Sequence, residues 1–246
     1  MGLMLLWAND FRAVFWVAVI PAVLCVALLL VGVQEPERAA SAVRTNPIRR
    51  ENLRRLGGAY WWVVALGAVF TLARFSEAFL VLRVQQGGLP LAWTPLVLVL
   101  MNVVFALGAY PLGKLADSTR HTTLLAWGLV VLIAADALLA FSDRGGAVWL
   151  GIALWGLHMA MTQGLLATMV ADTAPADLRG TAFGMFNLVS GVALLVASGL
   201  AGLLWDRLGA SATFGAGILF ATLALAGVLV QSARQGRTPK PPATQG

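Results

Sequence analysis

The chain has 246 residues, of which 59% are hydrophobic and 11% are charged, with a formal net charge of +6. A soluble domain of this length carries roughly a quarter charged residues. The composition therefore excludes a water-soluble globule, which would lack polar residues for its surface. It predicts an integral membrane protein, and the single cysteine, Cys25, excludes an intrachain disulfide.

Seven apolar runs follow one another, each long enough to cross the roughly 30 Å hydrocarbon core as a helix of about 20 residues. They cover residues 13–33, 59–84, 93–112, 123–141, 147–170, 181–205 and 211–231. The connectors between them carry turn residues and charge, as in QQGGLP and SDRGG. The runs lack the alternating polarity of β-barrel strands. We therefore predict an all-α membrane protein with seven transmembrane helices.

Lysine and arginine are unevenly divided between the two sets of connectors. Twelve lie in 34–58, 110–122, 171–180 and the tail 232–246, and four lie in the segments on the other side. Basic residues concentrate on the cytoplasmic side of membrane proteins. We therefore expect a cytoplasmic C-terminus and an external N-terminus in the cell (inner or plasma) membrane. This distribution explains the positive charge without nucleic acid as a partner.

The N-terminal residues MGLMLLWANDFR place a short apolar stretch and a polar break before the first full span. The basic start and short apolar core of a secretory signal are both missing. We expect residues 1–33 to be the remnant of an N-terminal half, ending in its last helix, in a longer protein. Residues 34–58 are then a cytoplasmic linker, helical near 47–56, residues 59–231 a six-helix bundle, and residues 232–246 a cytoplasmic tail.

The connector YPLGKLADSTRH (110–121) joins the third and fourth spans. Gly113 permits a sharp turn at this point. Asp117 is suited to cap the start of the following helix or to pair with a cation. Taken alone, these two residues indicate an ordinary turn.

The longer string GKLADSTRHTTLL (113–125) resembles the loop signature of the major facilitator superfamily, G-x-L-A-D-R-x-G-R-[RK]-x-x-L. The first half of the pattern is intact. Ser118 replaces its first arginine, and RHT (120–122) stands where G-R-[RK] is expected. Such weakened copies are usual between the eighth and ninth helices of these transporters.

Two other stretches are similar to the same family. VGVQEPE (31–37) resembles the end of its sixth helix, and ADTAPADLRGTAFGMFN (171–187) resembles its connection between the tenth and eleventh. The resemblance implies helices six to twelve of a twelve-helix fold, with the first five absent. It also implies a conformational switch at the loops, and the switch residues are Gly113, Asp117, Arg120 and Arg179.

Arg74 and Glu77 are ionisable residues inside the second span, and such residues are costly at membrane depth and often functional. Their spacing of three places them on one face of a helix, where they can pair. The family resemblance puts this seventh helix of the fold along a central cavity. We interpret the two residues as candidates for substrate binding or proton coupling, with a structural ion pair as the alternative.

His158 and Gln163 lie in a span that resembles the cavity-lining tenth helix of the family. The usual pKa of histidine near 6.5 suits a proton-linked step, although a buried histidine can also serve packing alone. Asn102 and Asn187 lie on the helices that correspond to the eighth and eleventh. They are candidates for substrate contact or for hydrogen bonds between helices.

Asp136 lies in the span that corresponds to the family's ninth helix, which is peripheral and supports the bundle. We therefore expect a local hydrogen bond or snorkelling there rather than transport chemistry. Small residues at spacing four, Ala193, Ala197 and Ala201, predict close packing of the sixth span.

The family resemblance implies secondary active transport of a small molecule by alternating access. Buried acidic and histidine side chains, and the absence of the nucleotide-binding string G-x-x-x-x-G-K-[ST], favour a proton gradient as the energy source. Efflux of drugs or metabolites in exchange for H+ is the favoured direction. The expected partners are the lipid bilayer, the substrate, H+ and the missing N-terminal half, with no cofactor or metal.

The alternative is a seven-helix membrane protein that does not transport, either receptor-like or an inactive fragment. Its lysines, Lys114 and Lys240, lie in a loop and the tail, so a retinal Schiff base within the membrane is excluded. The metal-binding string H-E-x-x-H is absent, so an enzyme is not expected. Since half of the cavity would be missing, we expect no transport by the chain alone.

Overall fold

The computed structural model describes residues 11–32, 50–90, 93–142 and 144–235. Ten α-helices and one 3₁₀ turn form most of this part of the chain. They are α1 (Phe11–Gly32), α2 (Arg50–Arg55), α3 (Gly58–Ala73), α4 (Ala78–Gln86), α5 (Pro95–Ser118), α6 (His121–Phe141), α7 (Gly145–Thr162), α8 (Leu165–Thr173), the 3₁₀ turn Ala176–Leu178, α9 (Arg179–Leu208) and α10 (Ala210–Gln235). The prediction of an all-α membrane protein is confirmed.

Seven helical segments in the described residues are long and apolar enough to cross a membrane. They are Phe15–Gly32, Gly58–Gln86, Pro95–Ser118, His121–Phe141, Gly145–Thr173, Ala176–Leu208 and Ala210–Ala233. These overlap the seven predicted runs one for one. Two of the segments are interrupted, because α3 and α4 share the second span and α7 and α8 share the fifth.

The first span and the linker differ from the rest of the chain. No residue of Phe15–Gly32 is buried within the described structure, so the apolar surface of α1 is uncovered there. Of the predicted linker, 34–49 lies outside the described residues, and so do VGVQEPE beyond Gly32 and the tail beyond Gln235. The helix expected near 47–56 is present as α2 over its described part.

Helix α6 packs against both α7 and α10. Two hydrogen bonds mark the ends of its antiparallel contact with α10. Ser211 Oγ donates to the Ala140 carbonyl at 2.6 Å, and Ser232 Oγ donates to Thr122 Oγ1 at 3.3 Å. Large apolar side chains fill the space between these helices, so that Leu125, Leu129, Leu132, Leu139, Ile152, Trp155 and Phe214 are fully buried.

Helix α9 packs against α3, α8 and α10. Tyr60 Oη, at the start of α3, donates to the Ala182 carbonyl at 2.9 Å. Ala193, Ala197 and Ala201 are all buried along one stripe of α9, and Thr213 Oγ1 donates to the Ala201 carbonyl at 3.2 Å. The close packing predicted from these small residues is confirmed.

Candidate functional site

The second span is broken near its middle by residues 74–77. Helix α3 ends at Ala73 because Arg74 adopts φ −110° and ψ 73°, which are not helical, and its N–H bonds to the Thr71 carbonyl at 3.1 Å. Helix α4 restarts at Ala78 after Glu77. Irregular backbone at membrane depth occurs where it is buried in protein or lines a cavity, so this break is the first place to look for a site.

An open cavity of about 540 Å³ lies at the break, and we call it the α3–α4 cavity. Its walls come from α3, the broken segment, α7 and α9. They are formed by Phe70, Thr71, Arg74, Phe75, Ser76, Glu77, Trp155, Leu194 and Ser198. The cavity therefore combines an apolar, aromatic wall with a few polar groups, which is typical of small-molecule sites.

Arg74 and Glu77 both line this cavity and are both partly exposed. The expectation that they share one face of a continuous helix is wrong, because both lie in the break between α3 and α4. No ion pair within 4.0 Å joins these two described side chains. Instead, the Arg74 guanidinium carbon lies 5.9 Å from the centroid of the Phe70 ring, a cation–π arrangement. Both charged groups are therefore available to a ligand in the cavity.

Aromatic rings cluster behind the broken segment. We call this cluster the aromatic wall, and of its rings Phe75 and Trp155 line the cavity. Phe75 packs against Trp155, with ring centroids 5.7 Å apart, and against Phe79 and Phe214 at 5.4 and 5.5 Å. Trp155 is fully buried, and its Nε1 has no hydrogen-bond partner within the described structure. The predictions from the sequence did not include these rings, because aromatic residues in an apolar run give no signal that separates a cavity wall from a core.

His158 is fully buried at the contact of α6 with α7, and it does not line the α3–α4 cavity. Its Nδ1 lies 2.7 Å from the Gly128 carbonyl. A carbonyl oxygen only accepts, so Nδ1 carries the hydrogen of this bond. The Phe70 ring, which does line the cavity, packs on the imidazole with centroids 5.5 Å apart. The arrangement favours the packing interpretation of His158 over direct contact with a substrate.

Gln163 marks the break between α7 and α8. Its N–H bonds to the Met159 carbonyl at 2.8 Å, and Gly164 follows in the left-handed region with φ +90°. Only glycine adopts that conformation without strain. The Gln163 side chain is exposed and is not part of the wall of the α3–α4 cavity.

Asn102 and Asn187 are exposed on α5 and α9. Asn102 Nδ2 donates to the Leu98 carbonyl of its own helix at 2.8 Å. Neither residue is part of the wall of the α3–α4 cavity. The structure therefore brings together Arg74 and Glu77 among the predicted site residues and leaves the other four apart from them.

The loop between α5 and α6 is shorter than predicted. Helix α5 continues through Gly113 and Asp117 to Ser118, so the sharp turn expected at Gly113 is wrong. The chain turns at Thr119 and Arg120, whose backbones are extended, and no side chain caps the start of α6. The expectation that Asp117 caps that helix is therefore also wrong.

The described loops at this end of the bundle are joined by one ion pair and by one contact between a histidine and a carboxylate. Arg55 of α2 pairs with Asp177 of the 3₁₀ turn at 2.7 Å. His121 Nδ1 lies 4.0 Å from Asp172 at the end of α8. Arg120 and Arg179, two of the predicted switch residues, are exposed near these contacts, at the starts of α6 and α9.

Asp136 departs from its expected surroundings. It is fully buried, and neither carboxylate oxygen has a hydrogen-bond partner within the described structure. Both expectations, snorkelling and a local hydrogen bond, are wrong, because α7 and α10 pack against α6 and leave the carboxyl buried without a hydrogen-bond partner within the described structure.

The sequence of the chain is similar to those of a known protein family and of several relatives. The sequence pattern of the Major Facilitator Superfamily matches residues 1–198. An uncharacterised MFS-type transporter of Methanocaldococcus jannaschii is 31% identical over 148 residues, which are 58% of this chain and 37% of that protein. Uncharacterised proteins of Mycobacterium bovis and Mycobacterium tuberculosis are 26% identical over 211 residues, which are 83% of this chain and 51% of each. The chain thus spans about half or less of the length of these relatives.

Proposed function

The chain belongs to the Major Facilitator Superfamily, and from that premise we propose that it forms part of a secondary active transporter. In this proposal a small molecule binds in the α3–α4 cavity and crosses by alternating access. The transporter is driven by the proton gradient as an antiporter, and it exports drugs or metabolites from the cell. It lies in the cell inner membrane, with its C-terminus in the cytoplasm.

The observation that carries the proposal is the pair of charges at the broken second span. Arg74 and Glu77 are partly exposed in an open cavity whose other walls are mostly apolar. Charged side chains at membrane depth are costly, and they occur where a pathway for substrate or protons needs them. An apolar wall with few polar groups suits a drug-like or metabolite-like molecule.

Proton coupling is assigned to Glu77. A carboxyl group can take up a proton on one side of the membrane and release it on the other, and its charge changes with each step. Arg74 stays charged in both steps because its guanidinium does not deprotonate in proteins. We propose that Glu77 carries the proton and that Arg74 holds an electronegative group of the substrate.

The loops between the spans are proposed to control which side of the transporter opens. The contacts Arg55–Asp177 and His121–Asp172 join α2, α6 and α8 to their neighbours at one end of the bundle. Breaking such exposed contacts costs little, so a conformational change can remake them. Arg120 and Arg179 are proposed to act in the same switch, with a preceding group of helices as the partner that moves.

The test uses the protein made from its native gene and purified through an affinity tag. It is reconstituted into vesicles that contain a pH-sensitive dye, and a pH gradient is imposed. A panel of amphipathic cations, anions and neutral compounds is then added outside. Saturable proton movement triggered by members of the panel, and absent from protein-free vesicles, is expected. If the purified protein neither binds nor moves any compound of the panel, whichever pH gradient is imposed, transport is contradicted. That result would favour a receptor-like or inactive protein.

A further inference from the structure

Asp136 is a buried acid without a protein partner. It lies in α6, its side chain is fully buried, and both carboxylate oxygens lack a hydrogen-bond partner within the described structure. An ionised carboxylate in such a place loses its hydration without compensation, whereas the neutral acid loses far less. The position therefore favours a carboxyl group that holds a proton.

The carboxyl fits at this place because α10 has a glycine opposite it. A Cβ at Gly217 would collide with Asp136 Oδ2 and lie 3.2 Å from its Cγ. The same Cβ position lies 3.2 Å from Cε1 of Phe75. Asp136 and the Phe75 ring therefore both lie beside Gly217 on the surface of α10.

Phe75 also lines the α3–α4 cavity. It belongs to residues 74–77, which join two helices without helical backbone of their own. Its ring is only 4% exposed and is held by other rings of the aromatic wall. The Phe75 side chain thus lies between the cavity and the buried acid, on the non-helical part of the span.

The titratable and charged groups on the elements near Asp136 lie on two of three elements, and none of them is hydrogen-bonded to its carboxyl within the described structure. From the broken span these are Arg74 and Glu77, which flank Phe75 on the cavity side, and Arg83, whose guanidinium bonds to the Leu139 and Ser142 carbonyls. From α7 it is His158, whose Nδ1 bonds to Gly128. From α10, residues 210–233 include no acidic, basic or histidine residue.

The ligand that suits this place is a proton rather than a metal ion. Hard cations require several oxygen ligands around them, and the neighbours that meet Asp136 at Gly217 are a glycine and an aromatic ring. A single carboxyl in apolar surroundings binds H+ and little else.

We propose that Asp136 is a proton-binding site, closed from the α3–α4 cavity by the Phe75 ring. The carboxyl gains or loses its proton only when that ring moves aside. A role of Asp136 in proton-coupled transport rests on the proposed function. The presence of a proton on Asp136 does not.

Infrared spectroscopy of the purified chain in lipid vesicles tests the occupancy directly. The stretching band of a protonated carboxyl group is expected at neutral pH, and D136N is expected to remove it. The matched control is D206N, since Asp206 is exposed at the end of α9, and this variant is expected to keep the protonated-carboxyl band of the wild type. The proposal would be overturned if the wild type showed no band of a protonated carboxyl and D136N instead lost bands of an ionised carboxylate.

Exchange of the wild-type band in D₂O tests the closure by Phe75. Deuterium shifts the band of a protonated carboxyl, so the rate of the shift reports access to Asp136. F75A is expected to speed the shift by at least about tenfold, because local opening then needs no displaced ring. F79A is the matched control, since Phe79 lies in the same aromatic wall but does not meet Gly217, and F75L serves if F75A does not fold.

Equal exchange rates in the wild type, F75L and F75A would overturn the closure. These spectra are recorded without substrate or transport. A negative result for Asp136 is therefore distinguishable from a failure of the proposed function. A protonated Asp136 in a protein that transports nothing would leave the site standing and contradict only the transport proposal.

Discussion

The Nδ1 atom of His158 lies 2.7 Å from the carbonyl oxygen of Gly128, and this bond joins α7 to α6 at the centre of the bundle. Gly128 has no side chain, so the imidazole can approach the backbone of α6. Thr162, one turn further along α7, fills the neighbouring space and donates to the His158 carbonyl at 2.8 Å. The relationship favours a role of His158 in helix packing.

Replacing His158 by alanine should destabilise the protein by about 2–3 kcal/mol, because a fully buried ring and one hydrogen bond are lost. H158N should recover part of this loss, since its amide can donate where Nδ1 does. Unfolding in detergent, titrated with SDS and followed by tryptophan fluorescence, gives these free energies. H121A is the matched control, because His121 is partly exposed. A loss of pH-dependent transport in a fully stable H158N would instead favour a proton-relay role.

Gly156 lies where α7 comes close to the backbone of α5. A Cβ at this position would collide with the Met101 carbonyl, and this backbone atom cannot rotate away as a side chain can. G156A should therefore destabilise the bundle by about 1–3 kcal/mol. G191A, at a helical glycine of α9 with open space around it, is the control and should be at least as stable as the wild type in the same titration, because alanine favours the helix more than glycine does. Equal stability of the two variants would show that α5 and α7 are not in this contact.

Arg83 links the broken second span to the end of α6 by hydrogen bonds. It donates to the Leu139 and Ser142 carbonyls, both at 2.8 Å, where the last carbonyls of a helix lack partners within the helix. R83Q should cost about 2 kcal/mol of stability, because charged hydrogen bonds at the negative end of a helix are lost. R207Q, at the exposed end of α9, should cost much less in the same assay. An unchanged unfolding midpoint for R83Q would refute the capping role.

The Arg55–Asp177 pair connects α2 to the turn before α9. Both side chains are more than half exposed, at 55% and 57%, so a double-mutant cycle should give a coupling of less than about 1 kcal/mol. The coupling should fall as salt is added, and the exchanged pair R55D with D177R should restore most of it. A large, salt-independent coupling would show that this contact is buried in the assembled protein.

The seven spans could be predicted because hydropathy depends on the residues of each segment alone. The breaks within the second and fifth spans could not be predicted, because a hydropathy window does not detect backbone conformation. The pair Gln163–Gly164 carried a signal for the second break, since a glycine beside a polar residue interrupts an otherwise apolar run. No glycine or proline marks residues 74–77, where Arg74 adopts non-helical dihedral angles.

The candidate site was predicted in part. Arg74 and Glu77 were found because charge in an apolar run is conspicuous, and both do line a cavity. Asp136 was expected at the periphery, yet it is fully buried. The side of a helix that faces its neighbours depends on contacts between distant segments, here between α6 and α10 at Gly217, and the sequence of α6 alone does not contain them.

The most direct test of the account is the effect of E77Q on proton-coupled transport by the protein made from its native gene. Glutamine keeps the shape of Glu77 but cannot carry a proton, so gradient-driven flux should fall at least about tenfold, or about 1.4 kcal/mol, while substrate binding persists. E51Q is the matched control, because Glu51 is exposed on α2 outside the spans. Flux by E77Q equal to that of the wild type and E51Q would contradict the assignment of proton coupling to this cavity.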